Sequence, residues 1–350
     1  MLGHLRPFGA RLRRLARLPQ PDFFGGKAER VELSPAETMR FPPALSLPGQ
    51  VERIADTVFS SKSETIHVLT RTEVAHEGPT LAWHLRHVDL IDGVLYHAGG
   101  EYHLRPRQRR MGLARRPQAT ASGALFETWT SNRWFGSWLM DAPLTYDLAL
   151  AEGVPLTTDA AKPQGHRRRY QELLDIWPKP VAGDVHFPEL TLFDDTPNNS
   201  GKAARARRLR ARLLDGRDIA PLPGVFLLRG TSGDERLLEN EMELAERLAA
   251  TQNFRVIDPM QASVDELVEA CGGARCIVGV EGSHLVHGIT VAPDGAAIIP
   301  IQPPQRVAAT LKLMTDRLDQ RFGLLVAEGG DTRFRLAWDD LARTIDLFDA

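Results

Sequence analysis

Three segments of the C-terminal half carry residue types able to hold an anion. Arg229-Gly230-Thr231-Ser232-Gly233 directly follows the apolar run Val225-Phe226-Leu227-Leu228. A guanidinium at a strand end grips a phosphate through two parallel N–H bonds, and the small residues let the backbone approach. An arginine on an exposed loop is the plainer alternative. The second segment is Glu281-Gly282-Ser283-His284-Leu285-Val286-His287, between the apolar run Ile277–Val280 and a predicted short helix. Amides at a helix start favour an anion. Gly282 and Ser283 leave room for it, and a neutral His284 or His287 is able to donate to it. Each histidine read by itself is more often a structural one than a catalytic one. Glu281 repels such a ligand, so it is expected to point elsewhere, toward a ribose or a reacting hydroxyl.

The third segment is a predicted helix over Asp234–Ala250. At 100° per residue, Leu237, Leu238, Met242, Leu244, Ala245, Leu248 and Ala249 form one stripe, with Glu241 inside it. A carboxylate on a buried face is costly without partners, so Glu241 is expected to be fixed by Arg229 or by loop amides, as a support. Asn240, at the stripe's edge, is expected to cap the same loop. In the N-terminal half, Asn132–Leu144 places two of the six tryptophans around Gly136, with Asp141 near the start of a predicted helix. Aromatics and an acid make a sugar-binding wall; they also make an ordinary packed helix entry.

The elements that must position these residues follow from pattern. From Glu64 to about Arg107 the chain reads as strands: Ile66–Leu69 and Trp83–Val88 alternate, and Asp92-Gly93 marks a hairpin. A helix is expected over Trp138–Glu152, ended by Gly153 and Pro155. Tyr170–Trp177 fits strand or helix, and Phe187–Phe193 fits a strand. Residues 194–201 are a turn cluster and a candidate interdomain linker. Lys202–Leu214 reads as a helix with most of its arginines solvated. Beyond it, runs at Val225–Leu228, Phe254–Ile257, Cys276–Val280, Ala296–Ile301 and Leu324–Val326 alternate with helical stretches. One of these opens on Ser263-Val264-Asp265-Glu266, and another spans Arg306–Arg321. Alternation of this kind means a parallel, doubly wound α/β sheet, whose ligands sit beyond the carboxyl ends of its strands. No G-x-G-x-x-G follows an early strand, which argues against a nicotinamide enzyme.

The 350 residues suffice for two domains. Lys and Arg number 43 against 45 Asp and Glu, and this near balance argues against nucleic acid as partner. Cys271 and Cys276 lie in one apolar stretch and read as buried thiols of a reducing compartment. No apolar run approaches the ~20 residues that span a bilayer. The first twenty residues contain arginines and leucines but no acid. On a helix they form a basic amphipathic surface suited to an anionic membrane; a frayed, solvated arm is the plainer reading.

Taken together, Leu227-Leu228-Arg229 with Arg236, Asn240 and Glu241, the run Val278–Gly288 continuing through Pro293-Asp294-Gly295 to Ile301, and Phe135–Leu144 resemble glycosyltransferase family 61, over roughly residues 125–330. The resemblance implies a GT-B-like enzyme: two Rossmann-like domains facing a cleft, with an antiparallel lead-in. Residues 1–20 would be a basic arm, 21–195 the acceptor-side domain, 200–330 the nucleotide-sugar domain and 331–350 a terminal helix. It implies inverting transfer from a nucleotide sugar to a glycan or lipid-linked acceptor in capsular or extracellular polysaccharide synthesis. The enzyme would lie in the cytoplasm at the inner membrane face, with no metal and no cofactor. By carry-over, Arg229, Arg236, Gly282, Ser283 and His287 bind the donor and Glu241 supports them. The acid–base work falls to Asp141 first and Glu281 second, with His284 as a candidate to compensate. Ser137 and Glu281 stand where many members have histidine. That departure motivates the alternative of an inactive relative that binds nucleotide or glycan.

Overall fold

A computed structural model describes residues 6–25, 28–107, 116–159, 163–230, 233 and 236–349. The chain divides into two compact units, one of Met1–Ala36 with Gly78–Arg205 and the other of Glu37–Glu77 with Ala206–Ala350.

The first unit is built on the long strand Thr80–Ile91, paired antiparallel with Val185–Asp194, Glu29–Ser34 and Val94–His97. The expected hairpin forms: Asp92 and Gly93 have φ of 50° and 77°, the two left-handed positions of the turn that matches strand twist. On the far side of Val185–Asp194 the sheet turns parallel, through Gly123–Leu125, Pro155–Thr157 and Lys179–Pro180. Leu85, Leu90, Leu125, Phe187 and Leu190 make its core. Tyr170 lies in a helix, Gly165–Leu173. The helix Phe135–Glu152 begins before Trp138 and ends at Gly153, whose φ of 150° suits glycine.

The stretch read as a linker is a buried polar centre. Thr80 and Thr145 donate to the Asp195 carboxylate at 3.1 Å, and Arg205 pairs with it. Asn199 accepts from the Lys202 amide at 3.0 Å and donates to Thr80 at 3.0 Å. Turn-forming residues are also those able to bond their neighbours' backbone, and here they do so inside the fold. Arg205 is therefore buried, although Arg208 and Arg212 are solvated as expected. The N-terminal arm is anchored in part: helix Arg6–Leu15 buries Ala10 against Ile91, Val94 and Tyr96, and Arg14 pairs with Glu101 at 3.1 Å.

The second unit contains the parallel sheet. Its strands run in the order Arg255–Ile257, Val225–Leu227, Cys276–Val280, Ala297–Gln302, Arg321–Phe322, with Leu325–Val326 also on Ala297–Gln302. Helix Val264–Gly272 starts at Ser263, whose hydroxyl accepts from Glu266 N at 3.1 Å. Helix Trp338–Asp346 adds Leu341 and Ile345 to the same core as the sheet. The thiols of Cys271 and Cys276 are buried and free, and burial pushes both upward, Cys271 to about 12.

Several expected elements differ. Ile66–Leu69 is helical, within Lys62–Thr70; Ser61 and Glu64 form a reciprocal capping box there, a signal that decides where four alternating residues do not. The helix expected over 306–321 is Thr310–Arg317. The helix expected from Asp234 starts at Glu241 and ends at Gln252. Leu237–Leu238 instead pair with Arg333–Phe334 as a small parallel strand, and Met242 is exposed. Asp234 and Glu235 lie outside the described residues.

Candidate active site

Strand Val225–Leu227 runs into Leu228-Arg229-Gly230. The amides of Arg229 and Gly230 donate to the two Glu241 carboxylate oxygens at 2.8 and 2.9 Å. Glu241 is the first residue of its helix, where a negative charge also faces the positive end of the dipole. Burial pushes its carboxyl group upward, against the two amides, which favour the anion. The expected loop-amide partnership is thus present, though on a helix start and not on a mid-helix stripe. Asn240 serves the segment after strand Arg333–Arg335 and not the Arg229 loop: its Nδ2 donates to Leu336 O at 2.9 Å and its Oδ1 accepts from Leu336 N at 3.3 Å.

The Arg229 side chain is buried and reaches the second segment. A methyl group placed on Gly282 would run into its guanidinium, and one on Gly233 would come within 3.3 Å of Nη2. Thr231 and Ser232, between them, lie outside the described residues. Arg229 and Gly282 are therefore brought together, as the sequence suggested, and glycine at 282 is what admits the guanidinium.

Glu281 follows strand Cys276–Val280, and its amide donates to Ile301 O at 2.9 Å. Its carboxylate is ion-paired with Arg236, which also donates to the Glu281 carbonyl at 2.9 Å. Arg306 Nη1 stands 3.9 Å from the same carboxylate. Glu281 thus turns away from solvent and organises two guanidiniums. Arg306 was missed by the sequence reading, which used it only as a helix start. It follows the next parallel strand, Ala297–Gln302, as Arg229 follows its own, so the strand-end rule applied once more would have found it. Paired registers Leu227↔Gly279 and Val280↔Ile301 put these strand ends side by side. Arg229, Arg236 and Arg306 accordingly gather beyond one edge of the sheet, with Glu281 bridging two of them and Glu241 holding the Arg229 loop from behind.

His284 packs its ring against Gly279 and Gly282, with both nitrogens buried. Burial, and then the charges of Arg229 and Arg236, push it down to about 3. It is a neutral ring at ordinary pH. The helix after this loop, Leu285–Val291, is only 7 residues and wholly buried, His287 included. Its dipole is small, so the positive character of the site comes from the guanidiniums more than from the helix mouth expected there. Ser283 is partly exposed.

Asp141 belongs to the other unit. It lies in the interior of helix Phe135–Glu152, and Lys202 Nζ holds it at 3.0 Å. Its carboxylate is 30% exposed, against 8% for Glu281, so of the two acids Asp141 is the one a solute reaches. Trp138 is a core residue, 2% exposed, with Arg167 4.9 Å over its ring, whereas Trp134, the other tryptophan of the expected aromatic wall, is half-buried.

No curated protein matches the chain. A family model described as Glycosyltransferase 61 matches residues 65–299, about two thirds of the chain and including the Arg229, Glu241, Glu281 and Asp141 segments. The chain belongs to the glycosyltransferase 61 family and is a glycosyltransferase.

Proposed function

We propose that this glycosyltransferase takes its sugar from a nucleoside-diphosphate donor whose diphosphate lies on Arg229, Arg236 and Arg306, and transfers it with inversion. The observation that carries the reading is the gathering of three guanidiniums at the carboxyl ends of parallel strands, around a glycine that gives one of them room. Planar N–H forks suit the oxygens of a leaving diphosphate, and charge placed there stabilises the transition state most. Guanidiniums supply the charge that a divalent ion supplies elsewhere, so transfer is expected to survive EDTA.

In a single displacement the acceptor hydroxyl oxygen bonds to the anomeric carbon from one face. The bond to the diphosphate oxygen breaks on the other, and the diphosphate keeps the electron pair. The hydroxyl proton passes to a carboxylate. We assign that role to Asp141, the more accessible of the two acids, with Lys202 as its positioning partner. Glu281, held by Arg236, orders the donor cations. This gives a GT-B-like division of labour, donor on the parallel-sheet unit and acceptor on the unit carrying Asp141. The acceptor is a growing glycan or a lipid-linked one, in capsular or extracellular polysaccharide assembly. Among the described residues no helix is long and apolar enough to cross a membrane. The exposed Phe8, Leu12 and Leu15 among the arginines of helix Arg6–Leu15 support a cytoplasmic enzyme resting on an anionic membrane surface.

The test is transfer with UDP-, GDP- and dTDP-sugars, following nucleoside diphosphate release and the anomeric configuration of the product by NMR. Inverted product, lost in Asp141→Asn with donor affinity intact, is expected. Retained configuration, or full activity of Asp141→Asn, would overturn the assignment.

A further inference from the structure

A chemically equipped cavity lies in the unit that carries Asp141. It has a volume of about 410 Å³ and is lined by Leu104, Arg105, Pro106, Trp129, Asn132 and Arg133, within the ~300–1,000 Å³ range of small-molecule sites. Its walls combine one aromatic face, one amide and two guanidiniums.

Arg105 is set in place by a buried framework. Its Nε donates to Thr158 Oγ1 at 2.9 Å and its Nη2 to Asn132 Oδ1 at 2.9 Å. Asn132 is fixed in turn by donating to Leu104 O at 3.1 Å. Behind Thr158 stands Glu127, 4% exposed, which accepts from the Thr158 amide at 3.1 Å and from its hydroxyl at 2.6 Å. A buried carboxylate is retained at a cost. Here it locks the turn that aims Arg105, and both it and Asp159 place a carboxylate oxygen 3.8 Å from Arg105 Nη2. With Nε and Nη2 engaged, Nη1 is the donor that Thr158 and Asn132 do not use.

Arg133 is exposed, stacks 4.9 Å over Trp134, and has no carboxylate within ion-pair distance among the described residues. Trp129 is half-buried, its orientation set edge-on to His103 at 6.4 Å. A rigid ring flanked by a fixed and an exposed guanidinium matches a sugar ring whose C–H face packs on the indole and whose carboxylate meets the guanidiniums. Helix Trp129–Arg133 leads, through Trp134, into the helix that carries Asp141.

We propose that this cavity is an acceptor subsite for an acidic sugar. The ring lies against Trp129 and its carboxylate is held by Arg105 and Arg133, so the acceptor glycan contains uronic-acid units. The inference rests on the glycosyltransferase reading and adds the chemical class of its acceptor.

The experiment is saturation-transfer NMR on the full chain with trigalacturonate and with its methyl ester, which keeps the rings and removes the charge. The acid is expected to bind about tenfold more tightly than the ester, the range of one charge-assisted hydrogen bond. Arg133→Ala, at an exposed site, is expected to reduce that preference to the share held by Arg105, while leaving nucleoside-diphosphate affinity unchanged. Trp129→Ala is expected to weaken acid and ester alike. Equal binding of acid and ester, an undiminished preference in Arg133→Ala, or displacement of the acid by inorganic phosphate at equal concentration would each overturn the proposal. The sugar measurement needs no donor. A failure to bind UDP, GDP and dTDP alike therefore removes the donor reading alone, and a failure of acid preference removes the subsite alone.

Discussion

Glu241 shows how one carboxylate shapes the loop at a strand end. Its two oxygens hold the Arg229 and Gly230 amides, fixing the point from which the Arg229 side chain departs. Glu241→Gln leaves a single acceptor for two donors, of which the Arg229 amide is buried, so a loss of ~1–3 kcal/mol is expected in urea denaturation, with weakened nucleotide binding. Unchanged stability would place the two amides in water. His284 sets a pH dependence whose sign is fixed. It takes a proton near 6.5 when unfolded and only near about 3 when folded. The unfolded chain therefore binds more protons in that window, and stability falls as pH drops from 6.5 toward 3. His284→Gln is expected to reduce the slope of stability against pH by about one proton, read from melts at several pH values. The residue types of the site were legible in the sequence, because Arg229, Gly282 and Glu241 stand where strand ends and a buried face make them conspicuous. The direction of Glu281 was not. Like-charge repulsion from a ligand was weighed, but the pull of Arg236 and Arg306 depends on chain positions that spacing does not reveal.

At the scale of elements, two glycines of one strand–loop unit separate packing from binding. A methyl group on Gly279 would strike the Leu227 carbonyl oxygen in the neighbouring strand. Backbone there has no freedom to yield, and Gly279→Ala is expected to cost ~1–3 kcal/mol of stability. A methyl group on Gly282 meets the far end of the Arg229 side chain, which is able to swing away. Gly282→Ala should therefore melt within ~0.5 kcal/mol of the parent yet lose much of its affinity for nucleoside diphosphate. Equal effects on stability would refute this distinction. The parallel strands were readable because each is a short apolar run closed by turn residues. The start of helix Glu241–Gln252 was not, because Leu237–Leu238 are recruited by Arg333–Phe334 far along the chain, a pairing that helical periodicity cannot anticipate. The same holds for the turn cluster at 194–201: its bonding to Thr80 and Thr145 is non-local.

At the scale of the molecule, the segment Glu37–Glu77 joins the parallel-sheet unit through the Leu45↔Gly323 and Thr57↔Val307 bridges. Its membership was invisible from sequence order alone. The arm is half anchored and half exposed, with Leu15 72% exposed while Ala10 is buried. Vesicles containing phosphatidylglycerol are expected to sediment the protein, neutral phosphatidylcholine vesicles are not, and Leu12→Glu with Leu15→Glu should abolish the difference; equal sedimentation with both lipids would remove the membrane role. The donor site stands or falls on the guanidinium cluster. Calorimetric titration of UDP, GDP and dTDP, each beside its parent nucleoside, into the full protein and into Arg229→Ala tests it most directly. At least one diphosphate should bind well above its nucleoside, with that heat lost in a variant that still melts as a folded protein. Binding that is absent for every diphosphate, or unaltered in Arg229→Ala, would contradict it.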